Sequence, residues 1–442
     1  MASFDWTTHP EAETLVDEVV TAALAASARA RTLADRLHVE TSTRLTDWLD
    51  HVAAPVDGTA LRAAGFVDGH AAVPGVWRHP GAQLPAVVPS PRLALALRVD
   101  DAGAFAAAHG GGAVEGSPLS GYRRAEVSGA GEAVAVAGVE RRSWACGVQP
   151  EVLPDPELGR ALRAWAMWAD RPRQEDGADA VRSVTGTARA MADLVGADRA
   201  GSYAMEAERR YWQRRNTAAA VQHARQDRLG LGWGNHDHHT FRSSRPAFRP
   251  LLEVLQALGF GLRERFYAGD EAGWGAQVLE HSGAGLVVFA DVDLEPAEVA
   301  VDFGAVDLAP TPRLGTVGLW CALHGESVLA AGMHHLEGQF DFDALRRDLA
   351  DRGVGQMRPF SDLPHLRQAF TEAERWAVDP RRLDALVQAG ALTREQADGF
   401  AAHGAAGSHL ENLARRGGFK GFNQHNVSTT MRATDPRLLG AH

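Results

Sequence analysis

The stretch "WGNHDHHTFRSSRP" (233–246) crowds three histidines, an aspartate and two arginines between apolar segments. Side chains of an extended chain alternate between two faces. His236, His238, Thr240 and Arg242 are therefore expected on one face, and Asp237, His239 and Phe241 on the other. Phe241 suits a face covered by a helix, so His238 and Arg242 point to the concave side. "GMHHLEGQF" (332–340) reads the same way, with Leu336 toward a helix and His335 toward a cavity. Two neutral imidazoles completed by one carboxylate form a three-ligand set with open positions, which suits redox-active Fe(II). The candidate carboxylate is Glu411, set between apolar neighbours in "GSHLENLARRGGFKGFNQ" (407–424). Spacing alone leaves a second reading open, in which these are core histidines bonded to backbone. No His-Glu-x-x-His zinc helix occurs.

The elements that must position these groups follow from periodicity. Residues 10–50 show helical spacing, and 1–58 is expected to be a helical segment. Over 59–150, "RLALALRV", "GYRRAEV" and "EAVAVAGVERRSWA" read as strands and "DDAGAFAAAHG" as a short helix, a small α/β unit that reads as a degenerate half-module. Residues 151–229 read as a helical connector, and the basic, aromatic helix near its end reads as a solvated face. From 230 the order is strand, helix, strand, strand, strand. After an insertion at about 292–330, "GMHHLEGQF" and "DFDALRRDLADRGV" start the same order again. Two βαβββ units, each opened by a histidine-bearing strand, make 230–442 the expected metal-binding catalytic domain. The class is α+β: paired βαβββ modules form a curled sheet around a metal, after a long helical and α/β N-terminal region.

Composition bounds the partners. The chain has 442 residues, enough for two or three domains, with 45 basic and 56 acidic residues and a net charge of −11. That excess argues against a nucleic-acid partner, which needs a clustered basic face. Two cysteines, Cys146 and Cys321, cannot build a disulfide framework or a thiolate metal site. No apolar run approaches the ~20 residues of a membrane span, and the start lacks a secretory pattern. A cytoplasmic protein without membrane contact is expected. The bias toward Ala, Arg, Gly and Asp over Lys points to a GC-rich bacterial genome.

Three segments in order resemble the 2-oxoadipate dioxygenase/decarboxylase family, non-haem iron enzymes of the vicinal-oxygen-chelate (glyoxalase-like) superfamily. "HHTFR" (238–242) is similar to a His-x-x-x-Arg strand of that family. "MHHLEGQFDFDALRRDLADRGV" (333–354) is similar to its Asn-His-Leu segment and Asp-x-Asp-Ala helix, and "HLRQAFTEAER" follows. "GSHLENLARRG" (407–417) is similar to a Gly-Ser-His…Glu-x-x-x-Arg segment. The resemblance implies His238, His335 and Glu411 as iron ligands and Arg242 as the cation that holds a substrate carboxylate. His334 stands where the family has Asn, and the first 230 residues have no counterpart.

The implied activity is oxidative decarboxylation or hydroxylation of a 2-oxo acid, or a related amino or hydroxy acid, by dioxygen. The partners are then a small carboxylic acid and dioxygen. Fe(II) is the expected cofactor, with Mn(II) or Zn(II) as alternatives. Arg242 is the expected catalytic and substrate-binding residue, with His409 and Gln424 as further substrate-binding candidates. Asp237, His236, His334 and Asn423 are candidates for orienting the imidazoles. Trp233, Trp274 and Trp376 are candidates for an aromatic wall, and Gly417, Gly418 and Gly421 for a tight loop beside the metal. Two other functions stay open: a redox-neutral isomerase or lyase of the same fold, and a non-catalytic ligand-binding protein.

Overall fold

The computed structural model describes residues 7–69, 73–174, 176–267, 273–311, 313–423 and 435–437. Helices α1 (Pro10–Ala26) and α2 (Ala28–Thr41) lead. A first module follows: β1 (Leu49–Ala54), α3 (Gly58–Ala63), β2 (Val67–Asp68), β3 (Trp77–Arg78) and β4 (Ala86–Pro89). The second is β5 (Leu93–Arg98), α4 (Ala102–Ala108), β6 (Val114–Glu115), β7 (Tyr122–Glu126) and β8 (Val134–Arg141). Four helices connect: α5 (Asp155–Ala169), α6 (Gly177–Val195), α7 (Ala197–Gln213) and α8 (Thr217–Asp227). The third module is β9 (His236–Arg242), α9 (Arg245–Ala257), β10 (Gly261–Tyr267), β11 (Trp274–His281) and β12 (Leu286–Asp293). Helix α10 (Thr316–His324) lies in the connection to the fourth, which runs β13 (His335–Gln339), α11 (Phe342–Ala350), β14 (Ser361–Leu363) and β15 (Leu366–Phe370). An excursion of β16 (Arg375–Trp376), α12 (Pro380–Gln388), α13 (Arg394–His403) and β17 (Ala405–Ala406) precedes its last strand, β18 (His409–Arg415).

The modules pair into two eight-stranded sheets, ordered β2-β3-β4-β1-β5-β8-β7-β6 and β10-β11-β12-β9-β13-β18-β15-β14. In each, the first strands of two modules run antiparallel side by side at the centre. This is the paired-βαβββ arrangement expected for the second half of the chain, built twice. The unit expected at 59–150 as one half-module is therefore a pair of modules that starts at Leu49. Its opening strand was hidden because Leu49–Ala54 is buried on both faces and shows no alternation, and because β2 and β3 have two residues each. For the same reason 1–58 is not wholly helical.

Apolar faces decide the layers. Helix α9 starts with Pro246 in its first turn and ends before Gly259, at φ +93°. It buries Phe248, Leu251, Leu252 and Leu255 in one core with Phe241, Leu336, Val288 and residues of α5 to α7. The end of the connector is thus not a solvated face: Tyr203, Met205, Arg209 and Trp212 of α7 are buried. Glu208 of α7 is fully buried and bonds Arg171, Arg173 and the Trp168 indole. Burial pushes its carboxyl up, but the two guanidinium groups outweigh this and hold it below the usual range.

The turn before β9 is clamped to the first sheet. Trp233 N–H donates to Asp100, and Asp100 N–H to the Leu231 carbonyl. A Cβ at Gly234 would stand 1.9 Å from the Arg98 carbonyl oxygen, so only glycine allows this approach.

Candidate metal centre

Strands β9, β13 and β18 lie side by side and bring the site together. Parallel register puts His335 beside His409 and Glu337 beside Glu411. Antiparallel register puts His335 opposite Thr240. Near the start of β9 the pairing skips a residue: Leu336 faces His239, yet Gly338 faces His236. This bulge inserts one extra residue and re-aims the side chains around it. His236 is consequently not on the face of His238, as strict alternation predicted. Its ring packs on His239, 5.3 Å between centroids, on the opposite side. Asp237 is turned toward His238 instead, and its Oδ1 lies 2.9 Å from His238 Nδ1.

That contact orients the imidazole. A carboxylate on Nδ1 keeps the proton there and leaves the Nε2 lone pair directed at the centre. Asp237 is itself gripped by Arg415, with bonds of 2.9 and 3.0 Å, and by Gln339 at 3.1 Å. Burial raises the Asp237 carboxyl, but Arg415 and the His238 bond prevail and hold it far below the carboxylate range. His335 Nδ1 lies 2.6 Å from His334 Nδ1. When His335 Nδ1–H donates to His334 Nδ1, His335 Nε2 is likewise free to act as a ligand.

His238, His335 and Glu411, expected from widely separated segments, converge, and Glu337 joins them. His238 Nε2 lies 3.0 Å and His335 Nε2 2.5 Å from Glu337 Oε1. His335 Nε2 lies 3.7 Å from Glu411 Oε2. Ligand atoms of His238, Glu337 and Glu411 all lie within 4.8 Å of one another. Gln368 Nε2 donates to Glu411 Oε1 at 2.8 Å, and Thr240 Oγ1 to Glu337 Oε1 at 3.2 Å. The signal for Glu337 was present in the sequence, two residues after His335 and so on its face.

The electrostatics fit a cation. Burial pushes Glu337 well up, and the neighbouring Glu411 pushes it further. Burial also raises Glu411, against the pull of His238. Burial holds His335 well below its usual value, with His238 and His409 adding to the effect. Two buried carboxyl groups, raised by burial, face the ring nitrogens of His238 and His335 with no Lys or Arg side chain among the donors, and ionising both needs a positive charge there. A divalent ion would supply it, and all four donors suit one. Glu337 Oε2 and Gln368 Oε1 are buried without a hydrogen-bond partner among the described residues.

The other expected residues are distributed as follows. Arg242 lies on the face of His238 and Thr240, fully buried. None of its three guanidinium nitrogens has a hydrogen-bond partner among the described residues. Its nearest carboxylate is Asp291, 4.0 Å away on the adjacent strand. Burial pushes Asp291 up to about 7 despite Arg242. His409 is not among the residues that line the recess; its Nδ1 lies on the Thr371 carbonyl and its Nε2 has no hydrogen-bond partner among the described residues. Gln424 lies outside the described residues.

The recess is lined by the four donors, Thr240, Asp291, Gln368, Asn423 and the rings of Phe266, Trp274, Phe289, Phe360, Phe370 and Phe422. Of the three expected tryptophans only Trp274 contributes. Trp233 stacks on His223, and Trp376 packs against Trp320 and His324. Gly417 and Gly418 do take positive φ, but they meet Thr8, Ala82 and Leu84 rather than the donors.

No family model matches the chain, and no curated protein matches it by sequence. Several solved structures are similar to it at low identity. A triple mutant of 4-hydroxymandelate synthase from Streptomyces coelicolor is 14% identical, over 88% of this chain and 98% of that one, with a TM-score of 0.30. Methylmalonyl-CoA epimerase from Mycobacterium tuberculosis is 16% identical, over 41% and 87%, with a TM-score of 0.23. An uncharacterized protein from Shigella flexneri that includes domain DUF1338 is 12% identical, over 54% and 73%, with a TM-score of 0.25. Among the described residues no helix is long and apolar enough to cross a membrane.

Proposed function

We propose that this chain is a metal-dependent oxygenase that binds a 2-oxo acid, or a related amino or hydroxy acid, and oxidises it with dioxygen. The observation that carries this reading is the pairing of two features on one concave face. His238, His335 and Glu411 meet from three strands, and Arg242 lies on the strand face of His238 and Thr240 as a buried cation whose guanidinium has no hydrogen-bond partner among the described residues and whose nearest carboxylate, Asp291, is 4.0 Å away. A buried guanidinium held only by a carboxylate at 4.0 Å is costly, and a bidentate carboxylate is its natural complement.

His238, His335 and Glu411 would hold the metal, Fe(II) first and Mn(II) or Zn(II) as alternatives. When bound, Fe(II) supplies one-electron chemistry toward dioxygen and a site for the acid's oxygens. The chain's own residues do the rest. Arg242 binds and orients the substrate carboxylate, and His409, buried two residues before Glu411 on the same strand, offers a second donor. Asp237 keeps the proton on His238 Nδ1. Gln368 fixes the Glu411 carboxylate. The six aromatic rings exclude water and favour a substrate whose remainder is apolar.

The test is anaerobic reconstitution with Fe(II), then oxygen uptake across a panel of 2-oxo acids with His335→Ala as control. Uptake that tracks Fe(II) and disappears in the variant supports the reading; turnover without oxygen uptake refutes it. A redox-neutral isomerase or lyase is the second reading. Glu337 favours it, because a second carboxylate at the centre gives a donor set that suits a redox-inert cation as well as Fe(II).

A further inference from the structure

We infer that Glu337 is a fourth protein ligand of the metal, so that the centre is a two-histidine, two-carboxylate set. The assignment rests on the reading that a metal binds here. Three observations carry it.

First, position. Glu337 shares the face of His335 on β13 and stands beside Glu411 in the parallel register. Its Oε1 lies 3.0 Å from His238 Nε2 and 2.5 Å from His335 Nε2. Ligand atoms at roughly 2.0–2.2 Å from one metal stand about 3 Å apart at right angles, which the His238 separation matches and the His335 separation undercuts by about 0.5 Å.

Second, satisfaction. Glu337 is 0% exposed. Around it stand two imidazoles, Thr240 and another carboxylate, and its Oε2 has no partner among the described residues. A residue kept for packing or for Thr240 alone gains nothing from a second buried carboxyl against Glu411.

Third, the first sheet supplies an internal comparison. There β1 carries the same bulge at the same place: Leu49 faces Leu97, but His51 faces Ala96. His51 thereby corresponds to His238 and Asp50 to Asp237. The His51 Nδ1 to Asp50 contact is repeated at 2.8 Å, and Arg141 grips Asp50 with bonds of 3.0 and 2.7 Å, as Arg415 grips Asp237. The remaining positions differ as a group. Ala94, Ala96 and Ala137 stand in the registers of His335, Glu337 and Glu411. The Asp–His–Arg brace persists without the other donors, so it belongs to the framework. Glu337 is absent together with the two donors assigned to the metal, so it belongs with them.

The test uses the full chain loaded with Mn(II) and counts metal-bound water from the broadening of its electron paramagnetic resonance lines in ¹⁷O-water. A six-coordinate ion held by four protein ligands keeps two waters. Held by three, it keeps three. Two waters in the wild type, with three in Glu337→Ala and affinity lowered about 100-fold or more by chelator competition, support the assignment; an outer partner such as Gln368 costs roughly 10- to 100-fold at most. Three waters in the wild type, or wild-type affinity in Glu337→Ala, overturn it. The wild-type count decides even where Glu337→Ala does not fold. A wild type that takes up no stoichiometric Mn(II), or a His238→Ala variant that binds it as the wild type does, overturns the metal centre itself.

Discussion

Replacing Arg242 with Met separates a residue that waits for an anion from one that holds the fold together. Its guanidinium is fully buried, its three nitrogens lack hydrogen-bond partners among the described residues, and Asp291 is 4.0 Å away. A buried charge without a close partner carries its desolvation cost with little in return, so an apolar side chain of similar size there should be neutral or stabilising, whereas breaking a true buried pair costs about 3–5 kcal/mol. Asp291 adapts, because its carboxyl already sits at about 7 and stays protonated once the cation is gone. Urea denaturation of the ligand-free protein should therefore show Arg242→Met as stable as the wild type or more so. Carboxylate binding should fall by about 3–5 kcal/mol, two to nearly four powers of ten. In wild type a 2-oxo acid at 100 times its Kd stabilises by ~2.7 kcal/mol; in the variant that gain should vanish. A variant that unfolds several kcal/mol sooner yet keeps its stabilisation by ligand would show that Arg242 is structural and that the carboxylate binds elsewhere.

Asp237→Asn should weaken metal binding roughly 10- to 100-fold in chelator competition, because His238 loses the group that fixes its proton. The matching Asp50→Asn change in the first sheet should lower the melting temperature and leave that affinity unchanged; an equal loss of affinity would defeat the argument. Asp291 gives a pH signature. Its folded-state carboxyl is raised from 3.8 to about 7, so the folded state loses stability as pH climbs from about 4 through 7. Asp291→Asn should gain on the wild type between pH 5 and pH 8, with a ceiling of about 4 kcal/mol, and a gap that is flat with pH would contradict this. Phe241→Ala removes a ring that is 1% exposed in the helix-covered core. It should cost about 3–5 kcal/mol in denaturant unfolding while metal affinity stays put.

Much of this was legible because two periods suffice for it. Alternation along 236–242 and 335–339 put His238, Arg242 and His335 on the concave face, and Phe241 and Leu336 in the core. The paired order of the third and fourth modules was legible from the helix that follows each histidine strand. Three features were not. The bulge that turns His236 away and Asp237 inward exists only in the register against β13. The first sheet was hidden by a central strand without alternation and edge strands too short to leave a pattern. The recess is walled by phenylalanines from β10, β12, β15 and two loops, whose meeting depends on how far the sheet curls. Glu337 differs from these, since the rule that placed His335 also places it.

The twin sheets carry a consequence for the empty protein. In the first sheet an aspartate, an imidazole and an arginine hold their arrangement with alanines for company, so that scaffolding needs no ion to stand. The same scaffolding surrounds His238. The metal-free chain should then be a folded receptor with its cradle already shaped, unlike small zinc modules that collapse only around their ion. Loading and stripping would be reversible events on a standing structure, and occupancy could follow the supply of metal without any need to make the protein anew.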